Sequence, residues 1–129
     1  MFQIPKNLVD RAITKDTLHR SGKRLLKEIA QAVGIPESDY ALRSNKGGDG
    51  VMGEVVAHSD SLYLMLHVGS GSTLKVLYRT CTSKKDFSGG MNMYVNVSDL
   101  VSSTASERFI EKLKNLGNLS KRQNASHAA

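Results

Sequence analysis

The apolar positions of the chain change their period once, near residue 35. Between Asp16 and Val33 they fall at Leu18, Leu25, Leu26, Ile29, Ala30 and Val33, the spacing of an amphipathic helix, and Gly34 is placed to close it. Upstream, Pro5 predicts a short first helix over "KNLVDRAI", with Asn7 and Thr14 as competing caps. Gly22 marks a soft point in the longer helix, about 1 kcal/mol weaker than alanine would be.

After "GIPESD" strict alternation takes over. "VMGEVVAHS", "LYLMLHV", "LKVLYRTCT" and "MNMYVNV" read as strands rich in Val, Leu, Tyr and Met, and "YALRS" adds a fifth at the edge. Short connections, "DS", "GSGST" and "SKKDFSGG", favour an antiparallel meander. A final helix follows over "SSTASERFIEKLKNLG". Thr104 and Glu107 make a capping box, Phe109, Ile110, Leu113 and Leu116 share a face, and Gly117 ends it. The predicted fold is α+β: a mostly antiparallel, four- to five-stranded meander sheet flanked by N-terminal helices and one C-terminal helix. It forms a single domain over residues 1–117, with 118–129 as a disordered tail. With 129 residues, such a domain buries roughly two thirds of its unfolded surface and needs no staples.

Turn lengths set a register. A two-residue turn at 60–61 puts His58 opposite Tyr63, and a five-residue loop at 69–73 puts Tyr63 opposite Arg79. One face then receives Val51, Val55, Ala57, Leu64, Leu66 and Val76, which is a core face. The other receives three rows: His58, Tyr63 and Arg79; Val56, Met65 and Leu77; Glu54, His67 and Lys75. Asn92, Tyr94 and Asn96 join this second face from the last strand. Its apolar middle row predicts partial cover, with the C-terminal helix as the candidate.

Charge changes this picture by pointing to a partner. The net +6 is uneven: +4 over residues 1–34, −3 over 35–69, +2 over 70–99 and +3 over 100–129. An excess of this kind favours polyanions without specifying a fold. On the first long helix, Arg20, Lys23, Arg24 and Lys27 fall together opposite the apolar side, enough to meet several phosphates along two turns. The competing reading is the solvated side of an amphipathic helix. Lys84 and Lys85 lie near the Arg79 end of the sheet and extend the candidate phosphate-binding set.

Other chemistry is narrower. "IAQAVGIPESDYAL" has the alanine-to-glycine spacing of a helix-turn-helix, with a recognition helix opening at Pro36, but Arg43 and "NKGG" oppose it. His58, Tyr63 and Arg79 form an alternative catalytic set for metal-independent RNA cleavage, a histidine moving the 2′-hydroxyl proton while cations hold the developing phosphate charge. A row of cross-strand polar pairs is the plainer explanation. A non-enzymatic inhibitor or adaptor would instead dock a protein through Tyr63, Met65, Leu77 and Tyr94. Neither glycine loop, "NKGGDG" or "SKKDFSGG", matches the nucleotide phosphate-loop spacing. One cysteine and four scattered histidines match no zinc-ligand pattern, so neither metal nor cofactor is expected. The lone Cys81 excludes an internal disulfide and suits a reducing compartment. No apolar run approaches the ~18 residues of a membrane span, and the start lacks a signal-peptide apolar region, so a cytoplasmic setting is expected.

"LRSNKGG", "GEVVAH" and "LYRTCTSKKDFSGGMN" resemble segments of small uncharacterised proteins of bacterial plasmids, phages and integrative elements, over residues 42–93. The resemblance implies a bacterial or phage setting, where DNA handling, RNA cleavage and inhibition of host defences are all open, and it assigns no residue a role. The leading expectation is a nucleic-acid-binding accessory protein of a mobile element, using the basic helix face on DNA or RNA.

Overall fold

The computed structural model describes residues 3–9, 13–69, 72–87 and 90–128, with side chains of the last helix described as far as Asn118. Thr14 opens the first long helix, α1 (Lys15–Val33), its hydroxyl accepting from the Thr17 N–H at 3.2 Å. Gly34, at φ 93°, closes it with its N–H on the carbonyls of Ala30 and Gln31. The short helix expected before it is only a 3₁₀ turn at Lys6–Leu8, and residues 10–12 of that segment lie outside the described residues.

Past Gly34 there is no recognition helix. Glu37–Asp39 make a single 3₁₀ turn and the chain enters β1 (Tyr40–Asn45) at once. The helix-turn-helix reading therefore fails, because Tyr40 and Leu42 pack against the core as alternate residues of a strand. β2 (Glu54–Ser59), β3 (Leu62–Val68), β4 (Leu74–Thr80) and β5 (Met93–Asn96) follow, and the sheet order is β1-β2-β3-β4-β5, antiparallel throughout. This is the expected meander, with both turn-derived pairs in place: His58 with Tyr63, and Tyr63 with Arg79. β2 starts three residues later than its apolar run, because Gly53, at φ 75°, turns the chain where a side chain would strike the Asn45 carbonyl. Val51, expected in the core, is consequently 51% exposed.

The glycine loop before β2 is tied to α1. His19, buried, donates from Nε2 to the Met52 carbonyl at 2.8 Å, since a carbonyl can only accept, and its Nδ1 is hydrogen-bonded with the Ser44 hydroxyl at 2.6 Å. Lys15 Nζ donates to the Gly48 carbonyl at 3.1 Å. Gly22 earns its place by contact: a Cβ there would sit 2.7 Å from Leu66 Cδ2, so the helix lies closer to the sheet than alanine permits.

The last helix, α2 (Ser103–Ala128), packs beside α1 on the same side of the sheet. Phe109 meets Tyr78 edge-on at 5.2 Å, and Ile110 and Leu113 are buried with Leu62, Leu64 and Val76 in one core cluster. Two expectations change here. The cap is Ser102, whose hydroxyl accepts from the Ala105 N–H at 3.1 Å, rather than Thr104. The helix also passes through Gly117 into the stretch expected as a disordered tail, since Gly117 lies buried against Leu62 and has no positive φ. Among the described residues no helix is long and apolar enough to cross a membrane.

Candidate nucleic-acid interface

With α1 and α2 both on the core face, the opposite face of the sheet has no helix over it among the described residues, so the expected cover by the C-terminal helix is not seen there. Register puts Arg43, Val56, Met65, Leu77 and Tyr94 in one row across all five strands. A second row runs Ala41, His58, Tyr63 and Arg79, and a third Asn45, Glu54, His67, Lys75 and Asn96. Asn92, expected on this face, precedes β5.

The middle row is shielded from water by its neighbours: Val56 and Leu77 are buried and Met65 is half-buried. The exposed rings lie at its two ends. Tyr94 on β5 is 54% exposed, and Phe87, from the β4–β5 loop, is 59% exposed. Arginines accompany two rings, the exposed Phe87 and the half-buried Tyr63. The Arg79 guanidinium sits 4.2 Å from the Tyr63 ring centre and that of Arg43 5.2 Å from the Phe87 ring centre. Arg79 is itself buried, with a long contact of 3.5 Å to the Asp86 carbonyl.

His58 has no solvent exposure. Tyr63 and Phe87 stand edge-on to its ring at 4.9 and 5.1 Å, and neither ring nitrogen has a hydrogen-bond partner among the described residues. Burial holds its pKa below the ordinary 6.5, and Arg43 and Arg79 push the same way. The Ser83 backbone acts in the opposite sense, through a contact short of hydrogen-bond geometry. A general base must come within hydrogen-bond reach of its substrate proton, and Phe87 blocks that approach. His58, Tyr63 and Arg79 are brought together as the sequence predicts, but as a packed cluster rather than an open catalytic row.

Cys81 is equally withdrawn. Its thiol donates to the Ser59 carbonyl at 3.2 Å, and burial pushes its pKa up to about 11. His67 is lowered by burial, Lys75 adding, and its ring stands 6.2 Å from that of Tyr94.

The basic stripe of α1 faces solvent on the other layer of the molecule. Arg20 pairs with Asp16, Arg24 with Glu28 at 3.6 Å, and Lys27 with Glu37 at 3.6 Å. Lys23 alone has no carboxylate partner among the described residues. Exposed pairs of this kind are worth about 0.2–1 kcal/mol, so they blunt the stripe without burying it. Lys84 and Lys85 belong instead to the loop that carries Phe87, their backbone N–H groups donating to Asp60 and Ser83 at 3.2 Å each. The candidate phosphate-binding residues thus divide between the α1 helix and the loop after β4.

Sequence reasoning missed Arg43 and Phe87. The first was readable: if Leu42 of "YALRS" faces the core, Arg43 faces away. Nothing local marks Phe87, which reaches its place by a loop. No protein-family model, curated protein or solved structure matches the chain.

Proposed function

We propose that this protein binds single-stranded nucleic acid on the open face of its sheet. The observation that carries the reading is a sheet face with two exposed rings, Phe87 and Tyr94, the first beside the Arg43 guanidinium, with Lys75 in the adjacent row and no helix over it among the described residues. Unpaired bases offer flat faces that stack on aromatic side chains, while cations follow the phosphates, and neither contact requires a fixed sequence. A duplex keeps its bases stacked inside and gains nothing from such rings.

Charge supports the same surface over the α1 stripe. On the sheet rows Arg43 and Lys75 have no carboxylate partner among the described residues, whereas three of the four stripe cations pair with Asp16, Glu28 and Glu37. The stripe then contributes a diffuse positive field rather than the contact surface. A strand-handling role suits the mobile-element setting implied by the resemblance of residues 42–93.

The test is a salt-titrated binding series with single- and double-stranded DNA and RNA. Single strands are expected to bind more tightly than duplex, with affinity falling steeply as salt rises. Equal affinity for duplex, or no binding of either, would remove the proposal.

A further inference from the structure

His58 is the sheet-face residue that packing alone leaves unexplained. Buried polar atoms in folded proteins nearly always have partners, and both of its ring nitrogens lack one among the described residues. The groups that face it are Arg43 from β1, Tyr63 from β3, Arg79 from β4, and Phe87, Asp86 and the Ser83 backbone from the loop. Asp86 already accepts from the Thr82 N–H at 3.0 Å and its hydroxyl at 3.2 Å. Arg43 has the Phe87 ring beside it and no carboxylate or hydrogen-bond partner among the described residues. His58 and Arg43 thus have no acceptor for their N–H groups among the described residues.

We infer that Phe87 covers a phosphate-binding site formed by His58 and Arg43, walled by Arg79, which a phosphate of the bound strand enters when the ring turns outward. The inference rests on the single-strand reading and deepens it. A phosphodiester accepts from an imidazole N–H and from a guanidinium, and supplies the acceptor that His58 and Arg43 lack among the described residues. Rotation of Phe87 about its Cα–Cβ bond would open the side of His58 that its ring faces, with Asp86 still tied to Thr82. The outward ring is then free to stack a base, so one motion makes both contacts.

Ring NMR of the histidines and tyrosines in the full chain tests this, with three probes: inorganic phosphate, an oligothymidylate, and an oligothymidylate with neutral methylphosphonate linkages. The phosphodiester strand is expected to shift the His58 ring signals and raise the pH at which they titrate, since a nearby anion favours imidazolium. The neutral strand is expected to move Tyr94 and leave His58 alone. Arg43→Gln, on a half-buried edge-strand position, should erase the His58 response and weaken oligonucleotide binding about tenfold, with the Tyr94 response retained. A phosphodiester strand that moves Tyr94 but not His58 overturns the site while sparing the strand-binding surface. A His58 shift with inorganic phosphate alone, and no oligonucleotide binding, upholds an anion site and overturns its assignment to a strand. No His58 response to any probe overturns the inference.

Discussion

Phe87 lies edge-on to His58, with ring centres 5.1 Å apart, and seals an imidazole whose two nitrogens have no partner among the described residues. A loop residue thus determines whether a strand residue is chemistry or packing. With the ring in place, the sheet face offers rings and cations but no accessible base.

Stability should depend on pH through the buried His58 and the half-buried His67. Burial first, then the neighbouring arginines, lowers His58 below 6.5, and burial with Lys75 lowers His67. The unfolded chain takes up these protons near pH 6.5 and the folded chain resists them. Stability is therefore complete above about pH 6.5 and declines as pH falls toward the folded pKa values, by at most about 1.4 kcal/mol per pH unit for each histidine. Chemical denaturation at pH 7.5 and 5.5 measures the difference. His58→Phe should remove that residue's share, leaving the protein at least as stable at pH 5.5 and with a flatter profile.

Cys81 should be inert in the native protein. With a pKa of about 11 the thiolate fraction at pH 8 is on the order of one in a thousand, and the sulfur is buried. Iodoacetamide is expected to label it only after unfolding in denaturant. Rapid labelling of the folded chain would contradict the burial at the β2–β3 end of the sheet.

Gly22→Val should destabilise the fold by about 2–3 kcal/mol. Even a methyl carbon would come within 2.7 Å of Leu66 Cδ2 and 3.3 Å of Val55 Cγ2, both on fully buried side chains, and overpacking outweighs the relief of removing a helical glycine. The change in denaturation midpoint checks this. A stabilised variant would mean that α1 can lift from the sheet at no cost.

The sequence carried the sheet well and its surroundings less well. The pairs His58–Tyr63 and Tyr63–Arg79 were legible because a two-residue turn and strict alternation leave one register that buries a full face. The caps were less so, since Ser102 and Thr104 are both good N-caps two residues apart and packing chooses between them. Gly117 looked like a stop, but a glycine can also lie inside a helix where a neighbouring side chain crowds it, here Leu62. The blunting of the basic stripe was partly readable, as Asp16–Arg20 and Arg24–Glu28 stand four residues apart on one helix. Lys27–Glu37 was not, because it depends on how the chain turns after Gly34. The position of Phe87 was hidden for the same reason: loop paths are not encoded by periodicity.

The central claim is that the strand lies on the sheet face, and the most direct measurement compares two double variants in one oligothymidylate binding assay at fixed salt. Phe87→Ala with Tyr94→Ala removes the exposed rings, and Lys23→Glu with Lys27→Glu reverses two charges on α1. Stacking is worth about 1–3 kcal/mol per base, so losing either ring should weaken binding roughly 5- to 150-fold, and losing both should weaken it further. The lysine pair should cost severalfold, through the long-range field alone. Binding that survives loss of the rings and vanishes with the lysines would place the nucleic acid on the helix and contradict this account.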